Sequence, residues 1–250
     1  MSVELAIEAP RVDSQAIDRR FYFFMSVWMA ALAVAGFAPK SVGILTGTVP
    51  VPPPIAHLHA FAMVSWLLLL VAQAGLVNAG RRDLHMRLGL VSVGLVPAIL
   101  VLAAISTVVA YYGAVKFGAG AIVANVLFLQ LRFFIMFPAL MIWALAVRTR
   151  DPETHKRVMI LTTVALLGAA FGRMTWIPGN NLLVTNDVAS SLELVALAPA
   201  FIYDFVRFGR LHRAYVLGLA LALPWIVATH FVWNAPWWKA AADTLMGVSR

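Results

Sequence analysis

Residues 88–112 have the sequence LGLVSVGLVPAILVLAAISTVVAYY, a run of apolar and small side chains without a charged residue. A hydrocarbon core about 30 Å thick is crossed by about 20 helical residues. This run is therefore long enough to span a membrane as a helix. Six further stretches share its character, and we predict seven transmembrane helices at residues 21–37, 56–79, 88–112, 121–147, 158–176, 189–206 and 214–234.

The composition also points to a membrane protein. The 250 residues are 62% apolar and only 12% charged, with a mean hydropathy of +0.87. Soluble domains are about 45–50% apolar and about 25% charged. The composition thus excludes a soluble enzyme, a disordered chain and a nucleic-acid-binding domain. It predicts that the protein's main partner is the lipid bilayer. The absence of Cys excludes disulfides, cysteine-ligated iron–sulfur clusters and thioether-attached haem.

The basic residues predict the orientation in the membrane. Of the 19 Lys and Arg residues, 13 fall in the N-terminal tail and in the connections after the second, fourth and sixth predicted helices. Lys and Arg are enriched on the cytoplasmic side, so the N-terminus is predicted inside and the C-terminus outside. The predicted organisation is a cytoplasmic tail at 1–20 and an all-α, seven-helix transmembrane domain at 21–250.

The predicted cytoplasmic connections resemble one another, because each places a His between basic residues just before a helix begins. The three segments are RDLHMR at 82–87, RDPETHKR at 150–157 and GRLHR at 209–213. The pattern favours one anchor helix followed by three hairpins, and internal repeats often place a site on their common axis. Asp151 followed by Pro152 is typical of a helix start, and Asp83 is a second candidate cap.

His85, His155 and His212 form one candidate ligand set on these connections. Two of them would suffice for the iron of haem b, with neighbouring Arg side chains on its propionates. All three together would suit a metal ion. The alternatives are a phospholipid head-group site formed by the same basic connections, or ordinary interfacial positions without a ligand.

The preferred candidate metal set lies at the predicted outer ends of the helices and consists of His57, His59, His230 and Glu193, and the set on the cytoplasmic connections is the variant. Imidazole and carboxylate ligands suit zinc, and copper or iron would imply redox work. Residues two apart on a helix point about 200° apart, so His57 and His59 share a ligand only if the helix begins between or after them. Pro52, Pro53 and Pro54 favour such a late start. The alternative is that the His residues cap the helix or line the interface.

Arg132 lies roughly 17 Å along the fourth predicted helix, near the bilayer centre. A charged side chain there is unfavourable by at least about 2.5–3.5 kcal/mol, so it requires a partner. Glu193 and Asp204 are the available carboxylates, and an anionic ligand or quinone oxygen is the alternative partner. Arg132, Arg173 and Gln130 are therefore candidate anion-binding residues, and Asp204 is a candidate acid–base group.

Four motifs resemble a group of bacterial multi-pass membrane proteins of no assigned function. They are the His-rich start of the second helix, Arg81-x-x-x-His85-x-x-Leu88-Gly89, HKRVM at 155–159 and GRLH at 209–212. The resemblance extends from about residue 56 onward and implies an all-helical bundle in the bacterial inner membrane. A more distant likeness to membrane cytochromes and oxidase-assembly proteins implies redox chemistry or respiratory-complex assembly.

These observations lead to three function hypotheses. The first is a His-ligated metal or haem protein of the inner membrane that serves redox chemistry or the assembly of a respiratory complex. The second is a binding or transport protein for an amphiphilic anion. The third is a membrane-embedded enzyme for a lipid, quinone or isoprenoid. Small-residue faces on the helices also permit a homodimer.

Overall fold

The computed structural model describes residues 14–248, and all regular secondary structure in this range is helical. The all-α prediction is confirmed. The helices are α1 (Ser14–Leu45), α2 (Pro54–Asn78), α3 (Arg82–Gly89), α4 (Val91–Lys116), α5 (Gly120–Val147), α6 (Pro152–Phe171), α7 (Asp187–Phe208), α8 (Arg213–Val232) and α9 (Pro236–Leu245).

Six stretches are long and apolar enough to cross a membrane, which indicates a multi-pass membrane protein. They comprise α1, α2, α3 together with α4, α5, α7 and α8. The predicted fifth span at 158–176 corresponds to α6, which is not among the six. Part of the predicted tail is helical, since α1 already begins at Ser14; residues 1–13 lie outside the described part of the chain.

α6 lies at the centre of the bundle, in contact with α1, α5, α7 and α8. α2 also reaches it, because Trp66 Nε1 donates a hydrogen bond of 3.4 Å to Thr163 Oγ1. Most of the α6 side chains are buried, including the polar Thr162 and Thr163. A helix enclosed by other helices can carry more polar side chains than a helix that faces lipid. This position explains why α6 falls short of the apolar character of its neighbours.

α1 and α6 run side by side in the same direction. Near their N-terminal ends, Lys156 Nζ lies 3.4 Å from Asp18 Oδ2. Near their C-terminal ends, a Cβ atom added to Gly36 would lie 2.4 Å from the carbonyl oxygen of Ala170. The small residues at 168–172 therefore mediate a close helix contact, as small residues do in membrane bundles.

The bundle has two ends of different character. The arginine-rich end carries the connections at 79–81, 148–151 and 209–212, and the opposite end carries those at 46–53, 117–119 and 172–186. Asp151 caps α6 as predicted, with its Oδ1 accepting from the Thr154 amide at 3.0 Å. The predicted Asp83 cap is wrong: Arg81 occupies the N-cap of α3, and Asp83 lies in the first turn within 3.3 Å of the Arg81 Nε atom.

Helix α9 was not predicted from the sequence and packs on α5 at the opposite end. Tyr111 OH on α4 donates to Asp243 Oδ1 at 2.8 Å, and Trp238 Nε1 donates to the Ala124 carbonyl at 2.7 Å. The buried Asn125 binds the connection before α9, where the Asn234 amide donates to its Oδ1 at 2.9 Å. α9 is thus fastened across the ends of α4 and α5.

Candidate functional site

Arg132 on α5 forms an ion pair with Glu193 on α7. Both side chains are largely buried, and the carboxylate passes beside Gly168 of α6, where a Cβ would lie 3.4 Å from Glu193 Oε1. The structure therefore gives Arg132 a carboxylate partner, one of the two available from the sequence. The pair joins the two helices that flank α6, and Glu193 is occupied by Arg132 rather than by a His.

The two other residues of the predicted anion set lie elsewhere. Gln130 Nε2 donates to Thr107 Oγ1 at 3.2 Å and links α5 to α4. Arg173 follows the C-terminal end of α6, where its guanidinium carbon lies 4.8 Å from the centre of the Phe37 ring. The structure thus does not bring Gln130, Arg132 and Arg173 into one site.

Asp204 is engaged in the most buried ion pair of the described residues. It is fully buried on α7, and Arg157 on α6 is 1% exposed. Arg157 Nη2 donates to Asp204 Oδ1 at 2.6 Å, and Nε lies 3.1 Å from Oδ2. Arg157 Nη1 also donates to Glu153 Oε2 at 2.7 Å. Asp204 is therefore held as a paired carboxylate that joins α6 to α7.

From the sequence alone, Arg157 is only one of several basic residues at a helix start. Its guanidinium lies over the rings of Tyr22 and Phe208, with centroid distances of 5.9 and 5.5 Å. Two features of the sequence pointed to its role. Glu153 is four residues earlier on the same helix, and Asp204 needed a basic partner in an apolar environment.

The structure separates the two His residues at the start of α2. The helix begins at Pro54, so His57 and His59 both lie within it and point about 200° apart. The predicted late start of this helix is wrong, because Pro is well tolerated in the first turn. His57 is exposed, whereas His59 Nδ1 is buried and has no hydrogen-bond partner among the described residues.

His230 lies on α8, away from α2, with Nδ1 3.4 Å from Asp187 Oδ1. The set of His57, His59, His230 and Glu193 is therefore not assembled. Within residues 14–248, no group of three or more His, Asp or Glu side chains is arranged to hold a metal ion. Metal or haem binding stays a prediction.

His85 and His155 are held in the same way. Each lies in the first turn of its helix, and each Nδ1 atom faces a main-chain carbonyl of the preceding long helix. His85 Nδ1 lies 3.3 Å from the carbonyl oxygen of Gln73, and His155 Nδ1 lies 2.8 Å from that of Ala144. The structure therefore gives two members of the predicted set the same setting at the arginine-rich end of the bundle.

His212, the third member, has a different role. It is the N-cap of α8, where its Nδ1 accepts from the Ala214 amide at 3.2 Å. Its own amide donates to Asp204 Oδ2 at 3.0 Å. Burial, followed by the nearby Arg157 charge, lowers the pKa of His212. The neutral ring is the form that accepts the capping hydrogen bond.

We expect His212 to make the folded protein sensitive to mild acid. Its ordinary pKa is about 6.5 and the folded value is lower, so the unfolded chain binds the proton more readily. Stability is therefore fully present above about pH 6.5 and declines as the pH falls below that value. The measurement is the melting temperature in detergent at pH 7.5, 6.5 and 5.5.

His212→Asn is the matched control, since Asn is a good N-cap and does not titrate. The variant should lose less stability than the wild type between pH 6.5 and 5.5. Equal losses in the two proteins would show that His212 is not responsible.

No family model matches the chain, and comparison with curated proteins and with solved structures finds no similar protein.

Proposed function

We propose that the protein binds haem b through His85 and His155 at its arginine-rich end and serves redox chemistry or the assembly of a respiratory complex. The observation that carries this proposal is the shared setting of the two rings against main-chain carbonyls. A carbonyl oxygen can only accept a hydrogen bond, so each Nδ1 carries the proton. The Nε2 lone pair of each neutral ring is then available to a metal.

This setting is typical of ligating His residues, whose second ring nitrogen donates to a carbonyl or carboxylate that fixes the ring. Neither Nε2 has a hydrogen-bond partner among the described residues. Burial lowers the pKa of His155, which favours the neutral form of that ring. The main-chain carbonyls of Gln73 and Ala144 belong to long helices, which provide rigid support.

Haem fits the surrounding charges better than a bare dication does. Two His residues complete the axial ligation of haem iron, whereas zinc usually takes three or four protein ligands. The charge of Arg148 acts on His155, and Arg82 and Arg87 flank His85 on α3. These guanidinium groups suit the carboxylates of a propionate-bearing cofactor. Copper, zinc or iron ions bound by the same two rings are the alternative.

The proposal includes a membrane arrangement with seven crossings in the bacterial inner membrane. α6 extends alongside α1 from Asp18 to Gly36, and α1 is itself long and apolar enough to span the bilayer. Polar groups on α6 are enclosed by the surrounding helices. The concentration of Arg at one end favours a cytoplasmic location for that end and for the N-terminus. The resemblance to bacterial multi-pass proteins supports the inner membrane.

The test is a visible spectrum and a metal analysis of protein purified in mild detergent, without chelators and without a metal-affinity tag. We expect a Soret band with about one haem per chain. His85→Ala and His155→Ala should each remove most of this absorbance, because each deletes one axial ligand. Added hemin should restore the band in haem-depleted wild type and not in either variant.

His57→Ala and His230→Ala are matched controls, since both replace an exposed His distant from the proposed pair. Both should retain the band. Absence of the band in wild type after hemin addition would overturn haem binding. A stoichiometric metal without the band, lost in His155→Ala, would instead assign an ion to the same two rings.

A further inference from the structure

Three basic side chains from separate elements meet at the opposite end of the bundle. They are Lys40 on α1, His59 on α2 and Arg173 just after α6. The guanidinium carbon of Arg173 lies 4.8 Å from the ring centre of Phe37, one helical turn before Lys40 on the same side of α1. The charge of Arg173 also acts on Lys40 and His59. We call them the Lys40 cluster. It lies at the far end of the molecule from His85 and His155 and takes no part in the haem site.

The Lys40 cluster has no acidic counterpart among residues 14–248. The ion pairs among the described residues include none made by Lys40, His59 or Arg173. This contrasts with Arg132 and Arg157, each of which has its own carboxylate.

The cluster also contains unused hydrogen-bonding capacity. His59 Nδ1 is buried without a partner in the described structure, although buried polar groups are nearly always bonded. Arg173 donates one hydrogen bond, from Nη1 to the Ala169 carbonyl at 2.5 Å, while its guanidinium rests over Phe37. Its remaining donors and the ammonium of Lys40, which is exposed, are open to a ligand.

The oxygens of a tetrahedral oxyanion point in different directions, so they can accept hydrogen bonds from donors on three separate elements. A phosphate group offers several oxygens at different directions, and Arg with Lys is a common pair of phosphate binders. The surroundings are apolar as well as basic. Phe37 is 40% exposed beside Arg173, and Phe61 and Leu58 on α2 are 74% and 56% exposed. A ligand that reaches this site through the bilayer would carry a hydrocarbon chain.

We infer that the Lys40 cluster binds the phosphate group of an anionic lipid in the leaflet at the opposite end of the bundle. Arg173 provides the fork of parallel donors, Lys40 provides a mobile charge at the exposed side, and His59 Nδ1 donates from the buried side. The acyl chains lie against the exposed apolar faces of α1 and α2.

The inference is tested by lipid titration of the detergent-purified protein, with the rise in melting temperature as the readout. The probes are phosphatidic acid, phosphatidylcholine and inorganic phosphate. We expect phosphatidic acid to stabilise the wild type more than phosphatidylcholine does. Arg173→Gln and Lys40→Gln should each weaken apparent phosphatidic acid binding by about tenfold, the loss of one charge-assisted contact.

Lys116→Gln is the matched control, because Lys116 is an exposed basic residue at the same end and lies outside the cluster. It should bind phosphatidic acid as the wild type does. Arg173→Lys keeps the charge and should retain part of the binding, which separates a loss of charge from a loss of fold.

Three results would overturn the inference. Unchanged phosphatidic acid binding in both Arg173→Gln and Lys40→Gln would remove the cluster from the site. Equal stabilisation by phosphatidylcholine, which carries a phosphate but no net charge, would remove the preference for an anionic lipid. Equal stabilisation by inorganic phosphate at the same concentration would assign the site to a free anion instead of a lipid.

Discussion

Gly36→Ala is expected to destabilise the protein by about 2–3 kcal/mol through forced separation of α1 from α6. The added Cβ would lie 2.4 Å from the Ala170 carbonyl oxygen and 2.7 Å from its carbonyl carbon and Cα. Main-chain atoms cannot rotate out of the way, so an entire helix has to move. Ala is otherwise the better helix former by about 1 kcal/mol, so the expected sign is opposite to that of helix propensity.

Thermal unfolding in detergent, followed by the monodisperse fraction on size exclusion, measures the effect of Gly36→Ala. Gly94→Ala is the control, since nothing lies within 4 Å of a Cβ at that position on α4. It should match or slightly exceed wild-type stability. Adding Ala170→Gly to Gly36→Ala should not rescue the protein, because the clash involves backbone atoms. Equal stability of Gly36→Ala and Gly94→Ala would refute the close contact.

Removal of one partner from the Arg157–Asp204 pair is expected to have the largest effect of any single charge substitution. Arg157→Met leaves a fully buried carboxylate without its partner, and Asp204→Leu leaves a buried guanidinium with Glu153 alone. Uncompensated buried charges of this kind lower stability by about 3–5 kcal/mol. Losses of this size exceed the effect of most single substitutions on the free energy of unfolding. Both variants should therefore yield little monodisperse protein at about 37 °C.

The double variant Arg157→Met/Asp204→Leu distinguishes an ion pair from a simple packing contact. It removes both charges at once and should be more stable than either single variant. Arg213→Met is the control, since its ion pair with Asp151 is at the surface, with the Arg213 side chain 75% exposed. That change should lower stability by less than about 1 kcal/mol. Additive losses in the double variant would contradict the coupling.

The helical architecture could be predicted from the apolar stretches, because a run such as 88–112 has few other stable structures in a membrane. The central position of α6, which corresponds to the predicted span at 158–176, could not be predicted in this way. α6 carries buried Thr and Arg side chains that only the surrounding helices make tolerable, so the apolarity of one segment does not reveal its central place. The position of α9 likewise depends on tertiary contacts, the hydrogen bonds made with Tyr111, Asn125 and Ala124.

The candidate sites were less predictable than the fold. The depth of Arg132 predicted a carboxylate or an anionic ligand as its partner, and the choice of Glu193 depends on which face of α7 meets α5. The sequence made His57 and His59 candidates for one metal site. Because α2 begins at Pro54, both residues lie in the helix and their side chains point in nearly opposite directions. The common setting of His85 and His155 became visible only when the hydrogen bonds to the preceding helices were known.

The enclosure of α6 has a consequence for biogenesis. During synthesis α6 leaves the ribosome before α7, so Arg157 is made before its partner Asp204. Glu153, on the same helix, is already available and hydrogen-bonds Arg157 in the final structure. Stable packing of α6 into the bundle should therefore await α7.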